Sequence, residues 1–269
     1  MPRVNRGTGF KGLSVGRGVG SHTAGSRTLS VAVWREGAGR AGAFETHDVP
    51  AHESQTVLDL VTWIQQYADP TLAYRYACRV GMCGSCAMTV NGVPRWTCRT
   101  HVERVAGGDG TIRIAPLRNL PVIKDLVVDT EPFFAKWIAA GGVHHASATR
   151  DEPVPAVDPS SAPRAAADEG IECINCAVCY AACDTVANNP DYLGPAALNR
   201  AWTLVNDSKD GARDAVLDAV SGGNGCGNCH SQGSCAVHCP NGLNPMAAIA
   251  GLKRETARRS LRRFLGAGR

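Results

Sequence analysis

No acidic residue occurs before Glu36, and aromatic residues make up only 6% of the 269-residue chain. So few aromatic rings, in a sequence rich in glycine and alanine, argue for closely packed backbone rather than for large aromatic pockets. No stretch approaches the roughly 18 consecutive apolar residues of a membrane-spanning helix. The N-terminus also lacks the apolar core that a secretory signal requires. The net charge of +4 is too mild to demand a nucleic-acid partner, and none is expected. Residues 1–27, rich in Gly, Ser and Arg, are expected to form a disordered extension. Their Arg-rich, acid-poor composition also fits a mitochondrial targeting segment, although the glycines break the amphipathic helix that such a segment forms.

Cysteine, by contrast, is abundant, with 12 in the chain. Without a secretory signal, six disulfides are a poor reading, and thiolates acting as metal ligands in a reducing compartment are the better one. The length allows two domains.

The first half reads as strands with one helix. "TLSVAVW" (28–34) and "TIRIAPL" (111–117) are β-rich, and "TVLDLVTWIQQYA" (56–68) places Leu60, Ile64 and Tyr67 at helical spacing. Asn91-Gly92 between two apolar runs marks a two-residue hairpin. After Pro121 the pattern becomes helical. "LPVIKDLVVDTEPFFAKWIAAGG" reads as helix interrupted at Pro132, 148–170 as a Pro/Ala/Ser-rich linker, and 195–207 and 244–265 as helices opening on proline. The expected architecture is α+β. A plant-type ferredoxin, β-grasp-like domain spans 28–121, and an all-α dicluster ferredoxin domain spans 122–269.

Cys78, Cys83, Cys86 and Cys98 are spaced C-x4-C-x2-C-x11-C, and the first three match the spacing of a plant-type [2Fe–2S] loop. Wrapping such a cluster demands backbone freedom, which Gly81 and Gly84 provide. It also demands inward-pointing N–H groups for the cluster's negative charge. A zinc knuckle on the same cysteines lacks a second C-x2-C or His pair nearby.

Cys173, Cys176, Cys179 and Cys183 have the bacterial ferredoxin spacing, in which the fourth cysteine ligates the other cluster of a pair. The partner run, "CHSQGSCAVHCP", places Cys229, Cys235 and Cys239 at its first, third and fourth positions and Gln232 at its second. Crossing over gives Cys173, Cys176, Cys179 and Cys239 for [4Fe–4S], and Cys183, Cys229 and Cys235 for a [3Fe–4S] cluster that lacks one iron. Cys226, three residues before Cys229, is either a fourth ligand completing a second [4Fe–4S] cluster or a small buried residue.

Taken with "PLRNLPVIKDLVVD" (116–129) and "CPNGLNP" (239–245), these runs resemble the iron–sulfur subunit of the succinate dehydrogenase / fumarate reductase family, from about Thr28 onwards. The resemblance implies an electron-transfer subunit that serves a partner flavoprotein with covalent FAD. Single electrons would pass through the three clusters to a quinone at one or more membrane-anchor subunits. It further implies a peripheral position on the cytoplasmic face of a bacterial inner membrane, or on the matrix side of the mitochondrial one, with His230 and Lys253 near the quinone. Consistent with a subunit that holds no flavin itself, "GRGVG" near the start follows no predicted strand. One departure from the family pattern is Asp184, where a proline commonly follows the fourth cysteine; an unpaired carboxylate there would lower the potential of a nearby cluster. Two rival readings are a module of a soluble fumarate reductase and a zinc-stabilised binding protein. The basic C-terminal stretch 252–269 is either a solubilising helix face or a surface for an anchor subunit and anionic lipid.

Overall fold

The computed structural model describes residues 27–153 and 156–266; the expectations for residues 1–26 lie outside it. Strand β1 (Thr28–Gly37) alternates strictly, burying Leu29, Val31, Val33 and Arg35 on one face. It pairs antiparallel with β2 (Arg40–Pro50), a strand the sequence reading passed over. On its other side β1 runs parallel to β5 (Thr111–Ala115), which is followed by β3 (Ala87–Val90) and β4 (Val93–Trp96). The sheet order is therefore β2-β1-β5-β3-β4, with a parallel pair at its centre. Asn91 and Gly92 both take positive φ, 49° and 81°, as the tight β3–β4 hairpin requires.

Helix α1 (Val57–Trp63) covers the sheet. It opens on a capping box in which Thr56 Oγ1 accepts from the Asp59 N–H and the Asp59 carboxylate accepts from the Thr56 N–H. Its continuation, Ile64–Ala68, is a π turn, closed by Asp69 N donating to Ile64 O at 2.7 Å. Leu60 and Ile64 are buried as the helical spacing predicts, but the wider turn swings Tyr67 out to 72% exposure.

Extended structure continues past Pro121 as a ribbon, β6 (Val122–Lys124) and β7 (Val127–Val128), where the sequence reads as helix. Asp125 takes φ 50° at its turn and fastens the ribbon to the sheet: Oδ1 accepts from Arg35 Nε and Glu36 N, and Oδ2 from Ala73 N. Arg35, buried on the inner face of β1, also pairs with Asp69 and bonds Thr71 Oγ1. An inward arginine thus joins β1, the 69–73 loop and the ribbon.

Pro132 starts a helix rather than interrupting one. It lies in the first turn of α2 (Glu131–Ala139), where a missing N–H costs nothing. The end of the expected linker is also helical, as α3 (Ala162–Ile171). Ser161 caps it by accepting from Arg164 N, and its alanines are strong helix formers that a Pro/Ala/Ser composition hides. Two single-turn helices, α4 (Val178–Ala181) and α5 (Asp184–Asn188), follow the first cysteine run. Helix α6 (Pro195–Val205), buried on nearly every side, packs against α3, α7 (Arg213–Ser221) and α9 (Pro245–Gly266), with the short α8 (Ser234–Val237) between.

Apolar side chains gather into one core under the sheet and one among the helices. A third, small cluster of Leu58, Cys86, Trp96, Cys98 and Val178, with Ile174 and Cys176 against it, joins the two. The junction between the halves is therefore built around cysteines.

Candidate metal centres

The loop that enters β3 brings the first cysteines together. Arg79, Gly81 and Gly84 all take positive φ, and the resulting coil turns the Val80, Met82 and Cys83 N–H groups onto Cys78 Sγ at 3.4, 3.2 and 3.3 Å. Amides converging on one sulfur suit an anionic group bound there. A hydrogen bond from Ser85, followed by the Cys78 N–H, draws the Cys83 thiol down to about 6. Burial, then the neighbouring Cys86, pushes the Cys98 thiol up to about 12. Metal binding to such a thiol releases its proton. Val80 and Met82 leave the rim of this loop exposed and apolar.

Gly84 is the point where the first loop meets the second. A Cβ on it would lie 2.6 Å from Cys176 Cβ and 2.9 Å from Cys176 Cα, at φ +70°. The two cysteine loops are therefore in backbone-level contact, with no room between them for even a methyl group.

On the far side, Cys173, Cys176, Cys179 and Cys239 line one apolar cavity with Trp96 and Asn199. Cys239 comes from the distant run, and its charge bears on each of the other three thiols. Burial raises Cys173, Cys176 and, furthest, Cys179; at Cys176 the Val178 N–H and the Trp96 indole act in the opposite direction. Cys235 is pushed up to about 11 by burial and then by Cys183 and Cys229, which places those three together. Tyr192, 1% exposed, packs on this second set, and burial and then the Cys229 charge raise its hydroxyl. Cys239 thus lines one cavity with the first run's Cys173, Cys176 and Cys179, while Cys183 bears on Cys235 together with Cys229. Among the described residues, no three His, Cys, Asp or Glu side chains are gathered tightly enough for a single metal ion, the geometry a mononuclear zinc site uses.

Cys226 begins a 3-10 turn and is buried in the helical core, its Sγ 3.7 Å from Thr256 Oγ1 on α9. His230 is exposed on the following loop. Lys253 reaches from α9 to donate to Cys229 O at 2.6 Å, so it braces the second cysteine run directly. Asp184 is not unpaired: its carboxylate lies 3.7 Å from Arg118 Nη2, both side chains about half exposed.

Several contributors escaped the sequence reading. The Asn119 amide donates to Tyr180 O, Ala181 O and Cys183 O at 2.9, 3.4 and 3.1 Å, capping the end of α4 and fixing the crossing cysteine. Asn241 Nδ2 donates to Glu172 O at 2.7 Å and ties the "CPNG" turn to the start of the first run. Positive φ at Asn119 (66°) was the only local trace of the first, and dihedrals are not visible in residue order.

Comparison with known proteins agrees with this layout. Residues 29–135 match the family of 2Fe-2S iron-sulfur cluster binding domains, and 172–244 match that of 4Fe-4S dicluster domains. The chain is 36% identical, over 88% of its length and 95% of the relative's, to the fumarate reductase iron-sulfur subunit of Mycobacterium tuberculosis. It is 35% identical to the succinate dehydrogenase iron-sulfur subunit of Paracoccus denitrificans, over 84% of this chain and 86% of that one. A chain of the Mycobacterium smegmatis Sdh1 complex in the apo form superposes with a TM-score of 0.76 at 25% identity, over 87% of this chain and 97% of the other. With its [2Fe–2S] domain in front and its 4Fe–4S dicluster domain behind, the chain belongs to the iron–sulfur subunits of the fumarate reductase / succinate dehydrogenase family.

Proposed function

We propose that the chain takes electrons one at a time from a FAD-bearing partner subunit and delivers them to a membrane quinone, or returns them in the fumarate-reducing direction. In this reading Cys78, Cys83, Cys86 and Cys98 hold [2Fe–2S]. Cys173, Cys176, Cys179 and Cys239 hold [4Fe–4S], and Cys183, Cys229 and Cys235 hold [3Fe–4S]. Each cluster, when bound, accepts and passes on one electron; the chain sets the spacing, the potential and the exclusion of water.

The observation that carries the proposal is the continuity of the three sites. Gly84 lies against Cys176, and Cys183 leaves the second site's run to join the third. The exposed, apolar Val80 and Met82 at the first site's rim support this side as the one that meets the flavoprotein. At the other end, Lys253 holds the Cys229 carbonyl beside exposed His230, which supports this loop as the quinone end. Cys226 is engaged with Thr256, which favours three ligands at the last site over four.

No helix of the described residues is long and apolar enough to cross a membrane; in this reading anchor subunits and the chain's own surface provide the attachment. Here α9 contributes. Arg259 and Arg263 are bound to Asp218, whereas Arg254 and Arg262 face outward beside exposed Leu261, Phe264 and Leu265. That mixture fits the headgroup layer of the cytoplasmic leaflet.

Anaerobic purification of the intact complex tests the assignment. It should yield iron and acid-labile sulfide in the amounts of the three clusters, three distinguishable EPR signals and succinate–quinone turnover. Zinc without sulfide, or an oxidised third cluster that is diamagnetic in intact protein, would refute the ligand sets.

A further inference from the structure

Two of the side chains that line the cavity with Cys173, Cys176, Cys179 and Cys239 carry a nitrogen with no oxygen or nitrogen acceptor. Trp96 is 7% exposed and Asn199 2%, yet neither Trp96 Nε1 nor Asn199 Nδ2 finds an oxygen or nitrogen acceptor among the described residues. Both side chains line this cavity. They arrive from different halves of the molecule, Trp96 at the end of β4 and Asn199 within α6. Leaving a buried donor unpaired costs about 1–3 kcal/mol, and two on side chains that line one cavity call for an acceptor. The available acceptors are sulfurs: the four thiolates and, when a cluster is bound, its sulfides.

We propose that Trp96 and Asn199 are N–H donors to the sulfur atoms of the four-cysteine cluster, and that they set its reduction potential. Reduction adds negative charge to the cluster, so a donor aimed at its sulfurs stabilises the reduced form and raises the potential. The two donors act from opposite domains, so the potential also depends on the halves remaining docked. Trp96 has a second contact that places it between two sites. The Cζ3–Cε3 edge of its indole lies 3.1–3.2 Å from where a Cβ on Gly81 would sit, while its nitrogen is on the other edge of the ring.

This inference rests on the ligand set proposed above, and the experiment separates the two. In the full chain loaded with its clusters, Trp96→Phe keeps the ring and removes the donor, and Asn199→Leu keeps the shape and removes the amide. EPR-monitored titration should show the four-iron midpoint moving negative in each variant and further in the double variant, with the other two midpoints unmoved. Wild-type protein labelled with ¹⁵N-tryptophan should show a nitrogen hyperfine coupling to the reduced cluster, a readout that needs no folded variant. An unchanged midpoint with full iron and sulfide, or no ¹⁵N coupling in the wild type, would overturn the inference. Wild-type chain lacking sulfide would instead overturn the ligand assignment beneath it.

Discussion

Replacing Gly84 with alanine forces a choice between the two cysteine loops. The new methyl carbon would sit 2.6 Å from Cys176 Cβ and 2.9 Å from Cys176 Cα, where carbon atoms settle at about 3.5–4.0 Å. The obstruction is backbone, so no rotamer change relieves it, and the loops must part by about 1 Å. The φ of +70° adds a left-handed cost of about 1–2 kcal/mol for a residue with a Cβ, and overpacking adds about 1–3 kcal/mol. At about 2–4 °C per kcal/mol for a chain of this size, the melting temperature of the loaded protein should fall by roughly 10 °C. Gly81→Ala is the matched control: its φ is +80°, but its nearest obstacles are the side chains of Arg99 and Trp96 at 3.0 and 3.1 Å. Both variants should lose stability. Only Gly84→Ala should weaken the magnetic coupling between the reduced [2Fe–2S] and [4Fe–4S] clusters and slow electron transfer between them, at full iron content. Wild-type coupling in Gly84→Ala, or equal loss in both variants, would refute the claim that this contact sets the spacing.

Asn119→Leu removes an amide whose two N–H groups are shared among three carbonyls, at about 1–3 kcal/mol for each of the two bonds lost; the loaded protein should melt earlier, with the Cys183 site losing iron first on mild oxidation. Acid stability should depend on Asp69, whose pKa is held down to about 2, first by the Thr71 hydroxyl and then by Arg35. Because the folded pKa lies below the unfolded one, this contribution is complete above about pH 4 and disappears as pH falls toward 2. Denaturant midpoints from pH 5 to 2 should therefore flatten in Asp69→Asn. Asp184→Pro should leave iron content intact and shift the third cluster's potential only slightly, because Arg118 already offsets the carboxylate. A large shift, measured by redox titration with Arg118→Gln as comparison, would contradict that pairing.

The parts of the fold that follow from periodicity and chemistry were readable in the residue order. β1, the Asn91-Gly92 hairpin, β5, α6 and α9 each carry their signal locally. The two kinds of cluster-binding domain were also legible, since ligand spacing is a chemical constraint written in register. What escaped depends on contacts made at a distance. The ribbon at 122–128 reads as helix because Val, Ile and Leu recur there, and only Asp125 reaching back to Arg35 reveals its extended form. Pro132 was misjudged because a proline's effect depends on whether a helix has already begun. Asn119, Asn199 and Trp96 resemble ordinary polar or aromatic residues until the fold shows which nitrogens have acceptors.

Under the ligand sets proposed above, the exchange of Cys183 and Cys239 between runs has a consequence for assembly. A ribosome that has released residues up to 228 has supplied neither helical site with its full set, so neither cluster can close before the last run emerges. Loss of α8 and the turn after it, by truncation or oxidation, then empties both sites at once. The helical half consequently matures and fails as a single unit, while the sheet half, whose cysteines all lie between 78 and 98, can load on its own schedule.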